Sequence, residues 1–290
     1  MKQIMLFAAI CGAAAALASE RKPYSEDCRD KKDIIVKDGD SIAFLGDSIT
    51  YAGNSPAGYV GMVMKGLEVA GVKSVKKIPA GISGHKSNNM LERVDRDCLA
   101  KKPTFMTVSC GVNDVWHGKN GVPLEDYKKN MSAILDKAAA SNVTVIVLTP
   151  TMIGENRDNA DNRKLGGYIS WLLDEAVRRK LAFADLHQDM CDEITRIKAQ
   201  IVKSGGKPQG NLLTRDGVHM AFKGNCLMAW GILKAMGVPE SKKDEIYAAW
   251  RMIPEAHSVN VPLSEEEMEA LKRKAGGMRL AEFIREVVVK

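Results

Sequence analysis

Apolar residues follow two rhythms along this chain. Short unbroken runs alternate with longer stretches where apolar positions recur every three or four residues. The runs are Ile42 to Leu45, Thr104 to Ser109, Val143 to Leu148 and the shorter Leu181 to Ala184. Each is bounded by glycine, proline or polar residues, which predicts strands buried on both faces. Ser74 to Ile78 and Asp33 to Val36 are weaker strand candidates, the latter closed by the turn Lys37-Asp38-Gly39-Asp40. Helical spacing links Tyr59, Met62, Val63, Leu67 and Val69, and Gly71 ends that helix. It returns at Met90, Leu91, Val94, Cys98 and Leu99, then from Leu124 to Ala140, from Leu165 to Lys180 despite Gly166-Gly167, and from Met190 to Val202. A further helix ends at Gly237 and another spans Ser241 to Trp250. Ala80 to Asn88 and Gly154 to Asn162 are expected as loops. Strand and helix alternating in this way predict an α/β fold, a parallel sheet with helices on both faces.

The two ends break the pattern. Lys2 is the only charge in the first eighteen residues, and Ile4 to Ala18 is apolar and alanine-rich. Ala16-Leu17-Ala18 before Ser19 fits a small-x-small cleavage site, so residues 1–18 read as a secretory signal peptide, and the protein is expected to be secreted or periplasmic. No later segment is long and apolar enough for stable membrane insertion. Residues 19–240 are expected as the main domain, with a polar lead-in to Lys32. Residues 241–290 are expected as a helical extension. There Ser264 and Glu267 form a capping box before a charged helix to Lys274, Gly276-Gly277 break it, and Leu280 to Val289 resumes it. This helical pair weakly resembles a ribbon-helix-helix end, but a secretory leader argues for packing or self-association.

Composition narrows the classes. The chain has 290 residues, 45% hydrophobic and 27% charged, enough for one sizeable core. Its net charge of +6 is spread among acids with no basic block, so nucleic acid is not an expected partner. Without Cys11 of the leader, Cys28, Cys98, Cys110, Cys191 and Cys226 remain, an odd number that requires at least one free thiol or an intermolecular pair. Their spacings make no zinc pattern, and Cys110 falls within an apolar strand region as a small core residue.

Candidate chemistry lies in four blocks, each after an expected strand or in a loop. They are Gly46-Asp47-Ser48-Ile49, Gly81-Ile82-Ser83-Gly84, Gly111-Val112-Asn113-Asp114 and Asp216-Gly217-Val218-His219. Any one alone is a turn, a helix cap or a structural histidine. Together they hold what acyl transfer needs. Ser48 is a nucleophile, His219 a base, and Asp216, three residues before it, shares a face with it on a helical turn and orients it. The N–H groups of Ser48 and Gly84 and the Asn113 amide can receive an oxyanion. Glycine suits position 84 because the backbone must approach substrate closely. Asp47 is expected to hold its turn, and Asp114 is an equal candidate for a helix cap. No metal or cofactor is required.

In this order the four blocks resemble the SGNH hydrolases, also called GDSL esterases or lipases, over roughly Ile42 to Gly237. The resemblance implies a three-layer α/β/α, flavodoxin-like fold. It implies Ser48 as nucleophile, Asp216 and His219 as its triad partners, and Ser48, Gly84 and Asn113 as the oxyanion hole. Ile49 stands where leucine is common, and Ala80-Gly81 where an asparagine often precedes the glycine; neither carries a reacting atom. Trp116, His117 and His85 are candidates for binding substrate, while His187 and His257 have no supporting pattern. The expected function is that of a secreted serine esterase hydrolysing acetyl or other short acyl esters on carbohydrates, the partner being a small-molecule or polysaccharide ester. The polar loops at Gly53 to Ser55, His85 to Asn89, Trp116 to Asn120 and Gly154 to Asn162 favour that substrate. A lysophospholipase or lipase for longer chains is the alternative, and a non-catalytic carbohydrate-binding domain is a third reading. Oligomeric state is not legible.

Overall fold

The four apolar runs and the weaker candidate at Ser74 to Ile78 become the strands of one parallel sheet. The computed structural model describes residues 33–254 and 265–278, together with Phe283. In chain order it forms β1 (Ser41–Gly46), α1 (Ser48–Gly53), α2 (Tyr59–Val69), β2 (Lys76–Gly81), α3 (Ser87–Asp97) and β3 (Phe105–Ser109). There follow α4 (Val112–Trp116), α5 (Leu124–Ala140), β4 (Thr144–Leu148), α6 (Ala160–Arg178), β5 (Ala182–Ala184) and α7 (Leu186–Lys203). Then come α8 (Phe222–Ala235), α9 (Lys243–Arg251) and α10 (Glu265–Ala275). The strand order is β2-β1-β3-β4-β5 and every pairing is parallel. Helices α2, α7, α8 and α9 pack together as one layer, and α3, α5 and α6 as the other. The fold is therefore the expected three-layer α/β/α arrangement.

The runs are continuous because both faces are covered. All of β3 is buried, as are all but the first residues of β1 and β4. β2 is an edge strand, which explains its mixed exposure and its tolerance of Pro79. The chain leaves β1 toward β2 on one side and later reaches β3 on the other. The β1–β3 boundary is thus the topological switch point, where a crevice opens at the strands' carboxyl ends. The first, second and third sequence blocks all follow strands at that end.

Some expectations are corrected. Asp33 to Val36 is not a strand: Val36 is buried by its side chain, while Ile35 N–H reaches Met236 O of the helical layer (2.9 Å). The second strand starts two residues later than expected and runs to Gly81, because pairing with β1 rather than apolar content defines it. Helices α6 and α7 start earlier, at side-chain caps: Asn159 accepts from Asn162 N–H, and Asp185 from Gln188 N–H. Asp216 to His219 is not a helical turn but an irregular loop.

The chain divides into two compact units after Ala256. The first includes α9, the opening helix of the expected extension. Its Ile246 and Trp250 are fully buried, and the Trp250 indole N–H donates to Met62 O in α2 (2.9 Å). In the second unit α10 carries Lys272, Arg273 and Lys274 in its last turn, where cations complement the helix dipole. Residues 1–32, with the leader, Cys11 and Cys28, lie outside the described residues. So do Ser264 of the capping box, His257, and the helix expected over residues 280–289 except Phe283. Among the described residues Cys98, Cys110, Cys191 and Cys226 are free and buried, and no helix is long and apolar enough to cross a membrane.

Candidate active site

Ser48 opens α1 directly after β1. Asp47 caps that helix, its Oδ1 accepting from Ile49 N–H (2.9 Å). This ties the turn and leaves Ser48 half-buried at the crevice. Thr50 Oγ1 and Tyr59 OH hydrogen-bond beneath it (2.8 Å). Tyr51, next on α1, is largely exposed.

The partners of Ser48 come from a loop before α8. Asp216 Oδ1 accepts from Val218 N–H (3.0 Å) and His219 N–H (2.8 Å), an Asx turn. Gly217 supplies the positive φ of +94° that this turn requires. The turn, not a helix, brings the Asp216 carboxylate back onto the imidazole. His219 Nδ1–H donates to Asp216 Oδ2 (2.7 Å). The other ring nitrogen, Nε2, is therefore left to accept from Ser48 Oγ–H (2.9 Å). Partial burial of Asp216 opposes its charge. Hydrogen bonds from the His219 ring and the backbone N–H groups of His219 and Val218 outweigh that and hold the carboxyl down, at about 2.

The loop has its own clamp, which sequence reasoning missed. The Glu155 carboxylate accepts from Leu212 N–H (2.6 Å), Leu213 N–H (2.8 Å), Thr214 N–H (2.7 Å) and Thr214 Oγ1 (2.8 Å). Gly154 N–H also reaches Gly217 O (2.7 Å). Nothing in the Asn- and Asp-rich Gly154–Asn162 stretch marks Glu155 apart from its neighbours.

Gly84 lies between β2 and α3 at φ +76°, and a Cβ there would meet no protein atom. Backbone conformation, rather than a crowded neighbour in the fold, is what calls for glycine at this position. Asn113 sits buried in α4, its amide Nδ2 donating to His85 O (3.0 Å) and lying 3.5 Å from Asp47 Oδ2. An amide has two N–H groups, so one is held by the His85 carbonyl next to Gly84, and the long approach to Asp47 leaves the other weakly engaged. Behind Asn113, Asp114 accepts from Ser87 N–H (3.1 Å) and Ser87 Oγ (2.5 Å), joining the third block to the start of α3. Burial pushes the carboxyls of both Asp47 and Asp114 up, Asp47 to about 6.

The structure thus brings Ser48, His219 and Asp216 into one chain of hydrogen bonds and links Asn113 to the Gly84 loop. Trp116, at the end of α4, is 46% exposed, with the half-buried His117 ring 6.2 Å away. His85 is half-buried and engaged by Arg93. His187 is half-buried in α7 with no tie to this cluster. Arg93 was also missed by sequence reasoning, although a cation between Met90 and Val94 on the apolar face of α3 is an anomaly that could have singled it out. No group of three or more His, Cys, Asp or Glu among the described residues is placed to hold a metal ion.

Comparison with known proteins bears on this geometry. The model of the GDSL-like Lipase/Acylhydrolase family matches residues 44–225. An acetylxylan esterase of Geobacillus stearothermophilus is 24% identical over 224 residues, covering 70% of this chain and 96% of that protein. A solved acetyl xylan esterase is similar at 29% identity with a TM-score of 0.60, covering 67% of this chain and 98% of its own. An alpha/beta hydrolase enzyme from the metagenome of Lake Arreo, Spain, shares the fold at 22% identity and a TM-score of 0.62, covering 71% of this chain and 99% of its own.

Proposed function

Because this chain belongs to the GDSL-like lipase/acylhydrolase family and is a serine-type carboxylic ester hydrolase, we propose that it removes acetyl or other short acyl groups from carbohydrates through an acyl-enzyme on Ser48. The observation that carries the mechanism is the Asp216–His219–Ser48 relay, with links of 2.7 and 2.9 Å. His219 Nε2 takes the Ser48 proton as Oγ attacks the ester carbonyl. The carbonyl oxygen becomes an oxyanion received by the N–H groups of Ser48 and Gly84 and by the Asn113 N–H that only weakly approaches Asp47. Asp216 stabilises the imidazolium. Collapse expels the alcohol, which takes the proton from His219. Water, deprotonated by the same ring, then attacks the acyl-Ser48 carbonyl and releases the carboxylic acid.

The substrate reading draws on two acetylxylan esterases at 24% and 29% identity. Exposed aromatic rings at Tyr51 and Trp116 suit a sugar face. We place the enzyme outside the cytoplasm on the strength of the apolar leader, residues 1–18.

A panel of p-nitrophenyl esters from acetate to palmitate, followed by acetylated xylo-oligosaccharides, tests this function. The expected result is kcat/KM falling from acetate or butyrate toward decanoate, acetate release from the oligosaccharide, and loss of both in Ser48→Ala. A rise with chain length, or fatty acid release from lysophospholipid, would identify a lipase instead.

A further inference from the structure

Arg93 is a charged side chain in the wrong place for a surface role. It lies on α3 at 3% exposure, and its guanidinium spends its donors on four acceptors. Nη2 donates to Gly46 O (2.8 Å), Nη1 to Ala80 O (2.8 Å) and to Asp97 Oδ2 (3.1 Å), and Nε to His85 Nδ1 (3.0 Å). Gly46 ends β1, two residues before Ser48. Ala80 lies at the end of β2, and its loop carries Gly84 and His85. The His85 carbonyl in turn accepts from Asn113 Nδ2 (3.0 Å). The Ser48, Gly84 and Asn113 donors are therefore all one or two links from a single buried cation.

A structural staple needs only charge balance, which Asp97 supplies. The arrangement does more. An arginine has no lone pair to offer, so His85 Nδ1 must be unprotonated and the ring proton must reside on Nε2. Burial and the Arg93 charge push the His85 pKa down, against the opposing pull of Asp97 and Glu92. A rigid planar fork can hold carbonyls from two adjacent strands and an imidazole at fixed angles, which a lysine cannot.

We propose that Arg93 is a positioning residue for the oxyanion site: its guanidinium sets the Ser48, Gly84 and Asn113 donors relative to one another and fixes His85 with its proton on Nε2. This rests on the esterase reading of the same site. Misplacement of a reacting group by about 1 Å costs on the order of 100-fold in rate, so small shifts of these loops matter.

Two measurements test it. In the full-length parent enzyme, 15N NMR of labelled histidines, assigned with His85→Gln, should show His85 Nδ1 as an unprotonated acceptor at pH 7.5. An Nδ1–H tautomer overturns the proposal. Arg93→Lys and Arg93→Met should lower kcat about 100-fold with KM little changed. Affinity for a trifluoromethyl ketone, whose Ser48 adduct places an oxyanion in the site, should fall by the same factor. Parent-like kcat in folded Arg93→Lys, or a loss confined to KM, overturns it. If neither variant folds, the parent spectrum decides. If the parent hydrolyses no ester the esterase reading fails, while the NMR still reports on the Arg93–His85 link.

Discussion

Asn113 is the one oxyanion donor removable without altering the main chain. One of its N–H groups is held by His85 O, and the other, 3.5 Å from Asp47 Oδ2 in a long contact, is the one to turn to a charge that exists only near the transition state. Asn113→Ala should lower kcat about 10²–10³-fold and change KM little. Steady-state kinetics on p-nitrophenyl acetate checks this; a normal kcat with a large rise in KM would assign Asn113 to ground-state binding. Asp47, beside it, makes a pH prediction. Burial raises its carboxyl from 3.8 to about 6. The folded state then binds this proton more tightly than the unfolded one, so the contribution is full below 3.8 and is lost as pH rises through about 6. Two pKa units correspond to about 3 kcal/mol. Asp47→Asn cannot ionise, so its stability relative to the parent should improve by about that much between pH 4 and pH 7.5. Urea unfolding of both proteins at the two pH values measures it, and a constant difference would mean Asp47 does not titrate in this range.

At the scale of elements, the loop carrying Asp216 and His219 depends on Glu155 from the far end of β4's connection. Three backbone N–H groups and one hydroxyl converge on that carboxylate. Glu155→Ala should leave the sheet intact but free the loop, so amide exchange at residues 212–214 should quicken and kcat should fall about 100-fold. Unchanged exchange with reduced activity would place the effect elsewhere. This dependence also marks where sequence reading stops. β1, β3 and β4 are legible because a strand buried on both faces must be apolar throughout. β2 is blurred because an edge strand headed by Lys76-Lys77 is defined by pairing with β1, which no local pattern records. Asp33 to Val36 misleads for the opposite reason: Val36 is buried by packing, without ladder hydrogen bonds. In the site, reactive residue types at loop positions are visible in the sequence. The Asx turn that joins Asp216 to His219 is not, since three-residue spacing fits a helical turn equally well. The Glu155 clamp and the Arg93 fork act across 57 and 47 residues, a distance at which periodicity carries no information.

For the whole molecule, the question is how much chain the chemistry needs. Every group placed at the site lies between Gly46 and His219. The division into compact units falls after Ala256, sixteen residues beyond the boundary read from sequence. The difference is α9. It buries Ile246 and Trp250 completely, and the Trp250 N–H satisfies Met62 O in α2, the helix that packs on α8. Removing a buried tryptophan alone typically costs about 3–5 kcal/mol, a large share of the roughly 5–15 kcal/mol that holds a domain folded. Two truncations separate the possibilities. A chain ending at Ala256 should keep its ester hydrolysis and its cooperative melting, because it retains α9 and loses no group of the site. A chain ending at Glu240 should express poorly or melt far lower, because it exposes the faces of α2 and α8 that α9 covers. Activity and thermal unfolding of the two, measured side by side, decide the matter. Loss of activity in a soluble, cooperatively melting Ala256 chain would mean that residues 257–290 take part in the reaction, and equal stability of both chains would mean that α9 is an appendage after all.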